Sequence, residues 1–158
     1  MNRLIARLSR PLDVPPDWYA IPLRLIVGYG FMEHGYAKLA RGPDGFVHIL
    51  TALGGPMPEL AAWATILVEL FGGLAVLLGA LIPLASIPMI AVLLVAIVTV
   101  HLPNGFSSIK LLSVGRDGAH FGQPGYETDL LYIAALIALV VGGSGPFSVD
   151  RLIARRSD

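Results

Sequence analysis

The chain has 158 residues, of which 55% are hydrophobic and only 14% charged, with equal numbers of acidic and basic side chains. A soluble domain carries about a quarter charged residues, so this composition argues for one compact membrane domain, with no room for a second. The absence of a basic excess or a long Lys/Arg run excludes a nucleic-acid-binding surface. The absence of cysteine excludes disulfides, thiol relay chemistry and Cys-ligated metal centres.

The first 18 residues carry Arg3, Arg7 and Arg10, and Pro11, Pro15 and Pro16 make a stiff, non-helical approach, with Asp17 as an N-cap. Spanning a bilayer takes about 20 helical residues. Four apolar runs meet that need, near residues 19–40, 59–81, 83–102 and 128–145. The stretch after the N-terminal arginines starts late, is long, and contains Arg24 and Glu33, so it reads as a retained span and not as a cleaved signal.

Gly42-Pro43 and Gly54-Gly55-Pro56 bound the first loop, which has room for a short helix near 44–53. Leu81-Ile82-Pro83 leaves space only for a tight antiparallel turn between the second and third spans. Residues 103–127, rich in glycine with Pro103 and Pro124, read as one long loop. Phe106 and Phe121 in it lie beside glycines, which suits an interfacial loop or one dipping back among the helices.

Arg151, Arg155 and Arg156 close the chain in a tail from 146 to 158. Basic residues at both ends and few in the loops place both termini in the cytoplasm, with Trp18, Tyr19 and Trp63 as interfacial anchors. The predicted fold is therefore all-α: an integral membrane four-helix bundle in residues 19–145, multi-pass in the inner membrane of a prokaryote.

Ionisable residues inside such spans are costly and are the default functional site. They are Arg24, Glu33, His34 and Lys38 in the first span, Glu69 in the second and His101 at the end of the third. With the termini inside, Glu33, His34, Lys38 and His101 fall in the outer half of the bundle and Glu69 near its middle. Helical spacing puts Gly30, His34 and Lys38 on one stripe and Arg24, Gly28, Phe31 and Gly35 on the adjacent one. Ala62, Thr65, Glu69, Gly72, Gly73 and Val76 share a face, which turns Glu69 toward close-packed neighbours. A partner such as Arg24, Lys38 or a histidine would limit its desolvation cost. The plain alternative is that these groups only lock helices together. His48 and His120 read as solvated loop histidines.

Arg24, then His34-Gly35-Tyr36-Ala37-Lys38-Leu39, then Glu69-Leu70-Phe71-Gly72-Gly73 with Gly79, followed by His101 and Gly143-Ser144-Gly145-Pro146-Phe147-Ser148-Val149-Asp150, resembles the DoxX family of small four-span membrane proteins. The resemblance runs from about residue 20 to 151. It implies a quinone-linked or accessory subunit of a membrane oxidoreductase complex, with Arg24, His34, Lys38, Glu69 and His101 as the matching polar positions.

A quinone head group needs donors for its carbonyl oxygens and a proton source. His34, Lys38 and His101 can donate, and Glu33 or Glu69 can pass protons. The other readings are a structural or assembly subunit with no chemistry of its own, and small-molecule permeation. No metal site is evident beyond one weak alternative, haem ligation by His34 and His101 from different helices. The partners implied are the lipid bilayer and other membrane or redox subunits, with self-association open as well. The sequence assigns no catalytic residue and does not decide whether the chain is an enzyme.

Overall fold

The computed structural model describes residues 15–157; Arg3, Arg7, Arg10 and Pro11 lie outside them. The chain is mostly helical. A 3-10 turn, Pro16–Tyr19, leads into α1, Ala20–Ala40, and a short helix α2 covers Pro43–Ala52. Two long helices follow, α3 from Pro58 to Leu78 and α4 from Ile82 to Asn104. A small hairpin pairs β1, Leu111–Gly115, with β2, Gly118–Phe121. The last helices are α5, Glu127–Gly142, and α6, Val149–Ser157.

Among the described residues, only α3 and α4 are both long and apolar enough to cross a membrane on their own composition. The 21 residues of α1 have the length but include Arg24, Glu33 and Lys38, and α5 has 16 residues. The reason for the short α5 is local: Gly143 leaves the helix at φ 89° and Gly145 follows at φ 70°, so 143–148 run as irregular chain where a helical span to 145 was expected.

The core is shared by α1, α3, α4 and α5. Ala20, Val27 and Phe31 of α1 meet Val76 of α3, Ile82, Met89 and Leu93 of α4, and Leu136 and Leu139 of α5. Outside it, Leu84, Ile87, Leu94, Val95 and Val98 of α4 stay exposed. A row of large apolar side chains turned away from the core is what lipid, not water, accommodates.

Glycine lets α1 and α3 touch backbone to backbone. A Cβ on Gly28 would stand 2.7 Å from the Leu77 nitrogen and 2.8 Å from the Gly73 oxygen. Neither neighbour can move without displacing a helix, so only glycine fits. One level further along, a Cβ on Gly35 would stand 2.9 Å from the Leu70 Cγ, 3.0 Å from the Glu69 Cβ and 3.1 Å from the Leu70 nitrogen.

Two expectations change in detail. Asp17 lies inside the 3-10 turn and does not cap α1; its carboxylate accepts from the Arg151 guanidinium at 2.5 Å. The long loop 103–127 is not uniformly irregular, because Leu111–Phe121 close into a hairpin with every strand residue exposed. Phe106 and Phe121 are more than half exposed and do not return among the helices; Phe106 packs edge-on to Tyr126 at 5.6 Å.

Substituting Gly28 by alanine is expected to lower stability by about 1–3 kcal/mol through forced separation of α1 and α3. Alanine at Gly45, which faces open space, should change it by less than about 0.5 kcal/mol. Thermal unfolding of the two variants in the same detergent checks the contrast, and equal midpoints would refute it.

Candidate functional site

Three buried or half-buried polar groups organise the helices. The first is Arg24, 6% exposed in the second turn of α1. Among the described residues no carboxylate bonds it. Its guanidinium instead donates to five backbone carbonyls. Nε reaches Val76 at 3.3 Å and Nη2 reaches Leu77 at 2.9 Å, both near the end of α3. Nη1 donates to Ser144 and Pro146 at 3.0 Å, and Nη2 also to Phe147 at 3.1 Å. A helix end leaves its last carbonyls without intrahelical partners, and the irregular segment after α5 has the same need. Arg24 satisfies both sets with one planar fork.

The second group is Lys38 with Glu69. The ammonium lies 2.6 Å from both carboxylate oxygens, and the side chains are 24% and 8% exposed. Lys38 also sits 5.1 Å from the centre of the Phe46 ring, so α2 covers the pair from one side. The acid is thus almost fully enclosed while the base keeps contact with the outside. Glu69 lies in a π-helical segment, Val68–Gly72, at the middle of α3. A wider turn of this kind resets which residues face inward, and such turns are frequent at functional positions.

The third is His101 with Asp129. The imidazole Nδ1 and the Asp129 Oδ2 are 2.5 Å apart, with side chains 25% and 9% exposed. His101 closes the second π-helical segment, Ile97–His101, and Asp129 stands in the first turn of α5. With Nδ1–H given to the carboxylate, Nε2 is the ring nitrogen left for an external partner. Among the described residues no buried side-chain nitrogen or oxygen lacks a hydrogen bond, so an unpartnered Nε2 must be accessible.

Of the residues singled out in the sequence, the fold brings Lys38 and Glu69 together, gives Arg24 a cage of carbonyls, and sets His101 against a residue not considered, Asp129. Glu33 and His34 are exposed on the outer side of α1. Glu33 is engaged by the Tyr29 hydroxyl one turn earlier, and His34 has no hydrogen bond or ion pair among the described residues. The reason lies in the two stripes of α1. Arg24, Gly28, Phe31 and Gly35 are all buried. That puts His34 a quarter-turn away, outside, while the long Lys38 side chain still reaches back to Glu69. Haem ligation would need His34 and His101 together on one iron; here one faces out and the other is held by Asp129. The signal for Asp129 was present in the sequence: it heads the stripe Asp129-Tyr132-Ile133-Leu136 at helical spacing.

Buried acid–base pairs between apolar helices, with the remaining apolar surface turned outward, define a helical membrane protein. The chain belongs to the DoxX family: the DoxX family model matches residues 20–102, a stretch that includes Arg24, Lys38, Glu69 and His101. It is also 32% identical over 151 residues to an uncharacterized membrane protein of Mycobacterium tuberculosis, covering 90% of this chain and 85% of that protein. No solved structure matches it.

Lys38→Met should cost about 3–5 kcal/mol, because it leaves the enclosed Glu69 carboxylate without a counter-charge. Pairing it with Glu69→Leu should recover most of that loss. A double-mutant cycle by thermal unfolding measures the coupling; additive losses would show that the two groups do not act as a pair.

Proposed function

We propose that this protein is a quinone-associated or accessory subunit of a membrane oxidoreductase complex. In this reading α1, α3, α4 and α5 all cross the bilayer and both termini face the cytoplasm. Supporting the four crossings, the charges that keep α1 from qualifying on composition are already answered inside the protein, Arg24 by carbonyls and Lys38 by Glu69.

The observation that carries the proposal is the His101–Asp129 pair. A buried carboxylate on Nδ1 fixes the orientation of the ring and leaves Nε2 directed outward. An imidazole so placed can hydrogen-bond a carbonyl oxygen and pass it a proton. Asp129 positions the ring throughout. A quinone head group presents two such carbonyl oxygens and takes up protons on reduction, and the exposed apolar face of α4 suits an isoprenoid tail. The residues present fit that ligand. The electron donor belongs to another subunit, since the chain has no cysteine and no recognised nucleotide-binding loop.

A specific observation also favours the assembly reading. Tyr29, Glu33 and Tyr36 form an exposed stripe along α1, and a carboxylate there is better placed against a neighbouring protein than against lipid.

The test is purification from native membranes in mild detergent, followed by identification of co-eluting proteins and extraction of bound quinone. The expected result is co-purifying redox subunits with retained quinone, and roughly tenfold less quinone in His101→Phe and Asp129→Asn, the effect of losing a charge-assisted hydrogen bond. Unchanged quinone in both variants would rule out the head-group role. Stoichiometric partners with no quinone in any sample would leave assembly as the function.

A further inference from the structure

At the opposite end of the helices from His101, the chain builds a second site. The 3-10 turn before α1, the segment after α5 and the helix α6 line a half-open cavity of about 380 Å³, formed by Pro15, Trp18, Phe147, Arg151, Leu152 and Arg155, with Asp17 at its edge. Arg151 and Arg155 are one helical turn apart on α6 and therefore share its face. Arg151 is bonded to Asp17, whereas Arg155 has no carboxylate partner among the described residues. Among the described residues the lining thus carries one net positive charge.

The rim is apolar, and its most exposed residue has a strained backbone. Phe147 is 82% exposed, with a left-handed backbone at φ 52°, a conformation rare for a bulky side chain. The cause is visible: Arg24 draws the carbonyls of Ser144, Pro146 and Phe147 inward, and Phe147 is left pointing out. Trp18 packs against it edge-on at 6.3 Å, and Leu152 is 58% exposed. An exposed, strained phenylalanine beside a tryptophan gains nothing in water. At a bilayer boundary the Trp18 ring would lie at the headgroup level, where tryptophan concentrates, and the Phe147 ring would leave water beside it.

We propose that this cavity binds the headgroup of an anionic phospholipid, with the phosphodiester between Arg151 and Arg155 and the acyl chains along Phe147 and Leu152. A single negative charge matches the net charge of the lining. A free phosphate would use the arginines but not the apolar rim. The site rests on the membrane character of the family and is independent of the quinone reading.

The experiment uses the full chain purified in neutral detergent. Retention of dioleoylphosphatidylglycerol is compared with that of dioleoylphosphatidylcholine by native mass spectrometry, together with the unfolding midpoint in nanodiscs of each lipid. Phosphatidylglycerol should be retained preferentially and raise the midpoint. Arg155→Gln should lower its retention about fivefold, the effect of one basic residue at a membrane surface. Arg156→Gln, on the same helix but outside the cavity, should leave it unchanged.

Equal losses in the two arginine variants would mean diffuse attraction to the whole helix and would overturn the site. Equal retention of the two lipids would overturn it as well. Displacement of the lipid by millimolar glycerol 3-phosphate would assign the cavity to a soluble phosphate and overturn the lipid assignment. Because Arg155 makes no bond within the described protein, its variant should fold, and an unchanged midpoint in phosphatidylcholine nanodiscs verifies that.

Discussion

The guanidinium of Arg24 joins three parts of the chain that have no covalent reason to meet: the start of α1, the end of α3 and the segment after α5. The last two leave backbone carbonyls outside a helical ladder. The last carbonyls of α3 lose the helical ladder because the helix stops at Leu78, with the Gly79 N–H reaching the Val76 carbonyl at 3.0 Å, and Ser144, Pro146 and Phe147 lie where Gly143 and Gly145 have already broken the helical path. In an apolar surrounding every such carbonyl would cost free energy. One buried arginine answers five of them, and in doing so it fixes where α3 ends. Asp150 completes the joint, accepting from the Leu81 backbone N–H at 2.8 Å, where the turn into α4 passes through a left-handed Leu81.

That joint also explains the division of the molecule into two chemically different ends. At the Arg24 end, a buried cation is fully consumed by neutral carbonyls, and any further chemistry lies on the surface around Phe147 and α6. Toward the other end the charges occur as pairs, Lys38 with Glu69 and His101 with Asp129. In both pairs the acid is the enclosed partner and the base the more exposed one. An enclosed carboxylate with a single base cannot be neutralised by solvent counter-ions, so it holds that base in place. The bases are therefore the partners that keep contact with the outside. Both pairs involve a residue in a π-helical segment, Glu69 in α3 and His101 in α4. An α-helix without those wider turns would present a different face at each position.

Much of the fold was legible because it follows from local pattern. The apolar runs gave the long helices, Gly42-Pro43 and Gly54-Gly55 bounded the short α2, and Leu81-Ile82-Pro83 required a tight turn. The stripe Arg24-Gly28-Phe31-Gly35 was recognisable by spacing, and so was the small-residue face of α3. The hairpin at 111–121 was not, because an exposed ribbon has no buried face to impose an alternating pattern. The pairing of His101 with Asp129 was not legible either. The two residues are 28 apart in sequence and meet only because α4 and α5 pack side by side.

The sequence by itself determined that this is a membrane protein, which residues are charged within apolar helices, and where the chain must turn. Those properties depend on composition and on contacts within a few residues. Tertiary structure alone decided which charge answers which. Arg24 turns to carbonyls and not to Glu69, Lys38 takes Glu69, and Glu33 and His34 face outward. The physical reason is that helical spacing assigns a residue to a stripe, but only the backbone approach of α1 to α3, close enough to admit nothing larger than glycine at position 28, selects which stripe is buried.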